Sequence, residues 1–253
     1  MLVEILLFFV GIVVGAMNAI AGGGMLLGFP ILLAVGVPPL IANATSNIVV
    51  LPGQLTSAFG YRRYLRKVPP IYLWLILPCA VGGGIGALIL RNTPAANFEQ
   101  LVPGLILFAV ILFAFQPLLH FHLHKQLRSR VNKIGPLFYI GLALLPLGIY
   151  GGYFGAGFGF VMLAFLGFSK LQDVHQMNAL KNLAAASMAI VTIAILFSGN
   201  LIDWHHGLAM AAGNMAGGYL GAVFAQKISS HAIRFVVIAI GLITAIGLFI
   251  HTY

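Results

Sequence analysis

Apolar residues run along this chain in long unbroken stretches. They lie near 2–20, 25–36, 42–60, 70–90 and 101–119, and again near 135–154, 159–168, 176–197, 206–225 and 232–251. A helix that crosses about 30 Å of hydrocarbon needs roughly 20 such residues. The runs do not alternate apolar with polar side chains, so they do not describe the strands of a transmembrane barrel. Inside lipid, helices then remain as the structure that satisfies the backbone. Composition agrees: of 253 residues, 61% are apolar and 7% charged, whereas a soluble domain is charged at about one residue in four. The expected fold class is all-α, a polytopic membrane protein with almost no mass outside the bilayer. A soluble catalytic or nucleotide-binding domain is excluded. The net charge of +9 is no nucleic-acid footprint, because the cations sit in short loops between apolar runs. The single cysteine, Cys79, excludes a disulfide framework and a thiolate cluster. Residues 1–20 carry Glu4 and no Lys or Arg, so they read as a retained first helix and not as a signal peptide.

The chain also repeats. Shifted by 135 residues without gaps, Ala21, Gly22 and Gly24 meet Ala156, Gly157 and Gly159. Asn43, Ala44 and Asn47 meet Asn178, Ala179 and Asn182, and Gly82, Gly83, Gly86 and Ala87 meet Gly217, Gly218, Gly221 and Ala222. One offset joins three separate motifs, which points to internal duplication. The expected organisation is a first membrane repeat over 1–119, a basic linker over 120–134 and a second membrane repeat over 135–253. The second segment of each half is short. At 1.5 Å per residue a dozen residues span about 18 Å, and each follows a Gly-rich break, Ala21–Gly24 or Gly155–Gly159. Those segments read as broken or re-entrant, giving 8–10 transmembrane helices in all.

Loop cations set the orientation. Arg62, Arg63, Arg66 and Lys67 should be cytoplasmic, together with the linker cations Lys125, Arg128, Arg130 and Lys133 and with Lys170 and Lys227. Asn200 to His206 and both termini should then lie outside; only Arg91 opposes this. About five segments per half is an odd number, so the two copies should insert as inverted repeats, as in many secondary transporters.

Polarity inside the runs is sparse and patterned. The Gly-rich breaks free the backbone from helical geometry, and a helix restarting after one presents N–H groups to an anion; the plainer reading is tight helix packing. Asn43 and Asn47, and likewise Asn178 and Asn182, are spaced i, i+4 and share one helix face. They read either as donors to an anion, or as helix caps (Asn43, Asn178) with interhelical amides (Asn47, Asn182). Lys181 occupies the position matching Ser46 and stands well inside an apolar run. It either pairs with an anionic substrate or snorkels toward a nearby interface. Asp173 reads as an N-cap, and Gly82–Gly86 and Gly217–Gly221 as helix contacts. The four acids, Glu4, Glu99, Asp173 and Asp203, all fall near segment ends, so a buried carboxylate relay is not expected and any coupling would fall to His175, a substrate proton or backbone oxygens. His120, His122 and His124 alternate like a metal trio, but in a basic linker they read as solvated, and no metal site or cofactor is expected. Ser46 and Ser187 have no histidine at helical spacing, so no enzymatic activity is expected either.

The run Gly15-Ala-Met-Asn-Ala-Ile-Ala-Gly-Gly-Gly24, then Pro30 and Asn43-Ala-Thr-Ser-Asn47, resembles the first half of the TauE/SafE sulfite exporter family. Gly152-Tyr-Phe-Gly-Ala-Gly-Phe-Gly159 and Asn178-Ala-Leu-Lys-Asn182 resemble its second half. Phe158 inside the second Gly motif, and Phe165 opposite Pro30, depart from the pattern. The resemblance implies a bacterial or archaeal inner-membrane permease for small sulfur-containing anions such as sulfite or organosulfonates. The expected substrate-binding residues are Gly22, Gly23, Gly24, Asn43, Ser46, Asn47, Gly155, Gly157, Gly159, Asn178, Lys181 and Asn182. The expected partners are a small anion and the lipid bilayer, with no nucleic acid. A passive anion channel, or a permease for another anionic metabolite, is the alternative.

Overall fold

The computed structural model describes residues 2–20, 22–111, 136–169, 171, 173–224, 242–243 and 245–250. The first half is built from α1 (Leu2–Ile20), α2 (Met25–Ala34), α3 (Pro39–Gly60), the four-residue α4 (Arg62–Leu65), a 3-10 turn (Pro70–Leu75) running into α5 (Ile76–Arg91), and α6 (Ala95–Ile111). The second half has α7 (Pro136–Tyr153), α8 (Phe158–Leu166), α9 (Val174–Phe197) and α10 (Trp204–Phe224). No strand occurs among the described residues, so the chain is all-α.

Sequence chemistry places the ends. α2 closes in a Schellman turn: Gly36 takes φ +91°, its N–H donates to Leu33 O, and Val37 N–H donates to Leu32 O. A left-handed residue after a helix is the ordinary glycine stop. Pro39 then opens α3 at a first-turn position, where its missing N–H is harmless. Asp173 caps α9 by accepting from His175 N–H at 2.8 Å, as its sequence position suggests. Asn43 and Asn178 do not cap their own helices, because α3 starts at Pro39 and α9 at Val174. α6 starts at Ala95, well before the expected apolar onset at 101. Phe98 N–H donates to Pro94 O, and the first turns tolerate Asn97, Glu99 and Gln100 because those side chains point outward while Phe98 is buried. The histidine-bearing linker, Lys170, Lys227 and the C-terminal residues 251–253 lie outside the described residues.

Packing follows the 135-residue offset. α1 lies on α10, and their counterparts α7 and α5 lie on each other. Both crossings are backbone to backbone through glycine: Gly213 and Gly217 face Phe8 O and Ile12 O, while Gly82 and Gly86 face Leu145 O and Ile149 O. Close approach of this kind is what small residues permit between membrane helices. α10 also packs on α3, and its counterpart α5 on α9. Two side-chain bonds repeat across these contacts. Ser57 Oγ donates to Gly218 O at 3.0 Å, and its counterpart Thr192 Oγ1 donates to Gly83 O at 3.4 Å. α3 and α9 meet at the centre, with the C-terminal end of α3 beside the start of α9, where the Tyr61 and His175 rings stack with centroids 5.9 Å apart.

The solvent preference of an ordinary globule is reversed. Leu2, Ile5, Phe9, Trp74, Leu77, Ile190 and Phe197 are exposed, while Asn43, Asn47, Asn178, Lys181, Asn182 and Asn214 are buried. Three described helical stretches are long and apolar enough to cross a membrane: Leu2–Ile20, Pro70–Arg91 and Val174–Phe197. α3 and α10, of 22 and 21 residues, are long enough at 1.5 Å per residue. They are less apolar because they carry the buried amides, hydroxyls and glycines of the interior.

Candidate functional site

Both Gly-rich breaks require glycine. Gly22 takes φ +92°, Gly155 φ +78° and Gly157 φ +84°, the left-handed region that costs any other residue strain. Gly22 N–H reaches back to Met17 O at 3.0 Å and Gly155 N–H to Tyr150 O at 3.2 Å, closing the ends of α1 and α7. Asn18 Oδ1 accepts from Gly24 N–H at 2.8 Å, and Tyr150 O–H donates to Ala156 O at 2.6 Å, so each break is also tied by a side chain from the helix before it. The breaks touch each other across the halves. A Cβ on Gly22 would stand 2.6 Å from Gly159 Cα, and one on Gly159 would stand 2.6 Å from Gly22 Cα.

The helix ends at the breaks are held by the asparagine helices of the opposite half. Asn43 Nδ2, on α3, donates to Tyr153 O, the last residue of α7, at 2.8 Å. The offset-equivalent carbonyl is Asn18 O, near the end of α1. It accepts at 2.7 Å from Lys181 Nζ, which also lies 3.0 Å from Asn178 Oδ1 and 3.4 Å from Ala19 O. Lys181 therefore does between halves what Asn43 does alone, with Asn178 steadying the ammonium. Asn43 thus serves the end of another helix, α7, while Asn178 serves Lys181 on its own helix. Lys181 does not snorkel: it is 1% exposed.

Between the breaks and the two asparagine helices lies a cavity of about 30 Å³, lined among others by Gly22, Asn47, Gly155, Gly159, Lys181 and Asn182. One ordered water needs about 10–15 Å³ by this measure, so the space holds roughly two. Six of the residues expected from sequence thus converge on one cavity. The other six do not line it. Asn43 holds the end of α7, Asn178 accepts from Lys181, Gly24 is bonded to Asn18, and Ser46 Oγ donates to Ala42 O of its own helix at 2.8 Å. Gly23 packs against the Phe160 ring, and Gly157 opens α8.

Two lining residues with polar side chains were not among those expected, Asn18 and Gln54. Asn18 is one of the scarce amides in an apolar run, yet its counterpart is Tyr153, so the repeat does not flag it. Gln54 faces Ala189 at the offset and escapes notice in the same way. Three of the lining residues carry unmet polarity. Asn18 Nδ2, Asn182 Nδ2 and Gln54 Oε1 are buried and have no hydrogen-bond partner among the described residues. Buried polar atoms normally find one.

Ionisable groups gather at opposite ends of the molecule. Glu4 Oε1 lies 2.8 Å from His205 Nε2, where α1 and α10 begin, and Asp203 Oδ2 lies 2.7 Å from His206 Nδ1. Burial raises the Asp203 carboxyl, but bonds from the His206 ring and backbone outweigh it and leave its pKa below the ordinary value. At the other end, Tyr61 and Tyr64 pack on His175, and burial raises the Tyr61 phenol well above its usual range.

The family profile described as "Sulfite exporter TauE/SafE" matches residues 7–248. A "Probable membrane transporter protein" of Haemophilus influenzae is 34% identical over 229 residues, covering 86% of this chain and 83% of that protein. "Probable membrane transporter protein ORF9" of Sinorhizobium sp is 28% identical over 244 residues, covering 96% and 90%. "Probable membrane transporter protein YfcA" of Escherichia coli K12 is 28% identical over 222 residues, covering 85% and 78%. No solved structure matches.

Proposed function

The chain belongs to the sulfite exporter TauE/SafE family and is a membrane transporter, and from that premise we propose that it is a secondary carrier of small sulfur-containing anions, sulfite or an organosulfonate, across the cytoplasmic membrane. The observation that carries this reading is the cavity shared by both halves, with Lys181 and the amides of Asn18, Asn47 and Asn182 around it. Asn18 Nδ2 and Asn182 Nδ2 are the donors without a partner among the described residues, Asn47 Nδ2 bonds Asn43 O at 3.2 Å, and Lys181 adds a positive field, a combination that suits an oxyanion. In this reading the halves are inverted repeats, the end holding Tyr61 and His175 faces the cytoplasm, and the end holding Glu4 and His205 faces outward. One half rocks against the other about the contact of Gly22 with Gly159, opening the cavity to each side in turn. The small volume and the touching breaks favour a closed carrier over an open pore.

Proteoliposome flux tests it. Sulfite or methanesulfonate uptake should saturate and show counterflow, and Asn47→Leu with Asn182→Leu should remove it while the protein stays folded. Unchanged flux in the double variant would refute the site, and unsaturable flux without counterflow would identify a channel.

A further inference from the structure

The cavity is lined by one basic side chain, Lys181, and no counterion for it stands among the described residues. All four acids, Glu4, Glu99, Asp173 and Asp203, are described, and none forms an ion pair with Lys181. Glu4 and Asp203 pair with His205 and His206 at one end, Asp173 caps α9, and Glu99 is exposed on α6. The three oxygens around Lys181 Nζ are neutral and match the three N–H groups of an ammonium. A buried charge without a counterion is costly. Held as an ammonium, Lys181 is neutralised by one negative charge from outside, and a second negative charge is left uncompensated.

The polar atoms beside the ammonium say how that charge is held. The Lys181 hydrogens are already engaged by Asn18 O, Ala19 O and Asn178 Oδ1. Direct donation to a ligand falls to Asn18 Nδ2 and Asn182 Nδ2, unpartnered in residues 7% and 1% exposed that line the cavity. Gln54 also lines the cavity and its Oε1 is buried and unpartnered among the described residues; a carbonyl dipole this close opposes a second negative charge.

We propose that the site selects a monoanion and rejects the dianion of the same shape: a sulfonate or hydrogen sulfite is taken, and sulfate is excluded by charge. Lys181 is the specificity-determining residue, acting through its field, while Asn18 and Asn182 make the contacts. This rests on the anion-carrier reading above and narrows its substrate class.

Equilibrium binding to the purified protein decides it, with methanesulfonate, sulfate and nitrate as probes at constant ionic strength. The stranded second charge should weaken sulfate relative to methanesulfonate by about a hundredfold. Lys181→Gln should weaken methanesulfonate at least about tenfold, and Lys181→Arg should keep the preference for a monoanion. Sulfate binding as tightly as methanesulfonate overturns the inference, and wild-type protein alone gives that result should the variants fail to fold. Nitrate matching methanesulfonate upholds charge selection but defeats the sulfur-anion reading. Tight sulfate binding defeats charge selection and leaves that reading standing, and absence of binding by all three defeats both.

Discussion

Gly22 and Gly36 have nearly the same backbone, φ +92° and +91°, but different surroundings. A Cβ on Gly36 meets nothing within 4 Å, whereas one on Gly22 runs into Gly159. Gly36→Ala should therefore cost only left-handed strain, about 1–2 kcal/mol. Gly22→Ala should cost more and should also abolish transport, because it forces the breaks apart. Unfolding in detergent, run on both variants, checks the difference. Asn43→Leu leaves the Tyr153 carbonyl without its donor and should destabilise by about 1–3 kcal/mol, the usual penalty for a buried group left unpaired. Asp203 sets a pH dependence. Its lowered pKa means that its pairing with His206 is fully present above the ordinary carboxylate pKa and is lost as pH falls through the folded value. In melting curves taken from neutral to acid pH, Asp203→Asn should flatten the acid-side loss of stability.

At the scale of elements, the same joints are made twice. Gly82 and Gly217 each press on a carbonyl of the neighbouring helix, so Gly82→Val and Gly217→Val should lower folded yield comparably, read by size-exclusion of the detergent-solubilised protein. That these glycines are helix contacts was legible in their spacing, as were the short segments, the Asp173 cap and the convergence of Gly22, Asn47, Gly159, Lys181 and Asn182. Each depends on local chemistry or on recurrence at one offset. What the sequence concealed depends on contacts between residues far apart in the chain. Nothing local says that Lys181 reaches the carbonyl of Asn18, 163 positions away, or that Gly22 rests on Gly159. Asn18 and Gln54 were missed because their counterparts, Tyr153 and Ala189, are not amides, so the duplication that exposed the other polar residues passed over them. The early start of α6 was hidden because its first turns carry outward polar residues that interrupt the apolar run.

For the whole molecule, the two charged ends predict orientation. Cys79 is the sole cysteine and is fully buried, so thiol labelling of single introduced cysteines has little background. A cysteine at Arg66 should label only from the cytoplasmic side, and one at Asn200 only from outside. The opposite pattern would invert the assignment, and labelling of both from one side would refute the division of ends. Transport itself turns on the cavity where the halves meet. A second hollow on the surface, lined by Ile85, Leu88, Asn92, Asn97 and Tyr153, is far larger at about 580 Å³, but none of the duplicated motifs lines it. The most direct measurement is an experimental density map of the protein with methanesulfonate bound. The account predicts sulfonate density in the cavity beside the contact of Gly22 with Gly159, within hydrogen-bond reach of Asn18 Nδ2 and Asn182 Nδ2. Density confined to the hollow beside Asn92 and Asn97, with the central cavity empty, would contradict it.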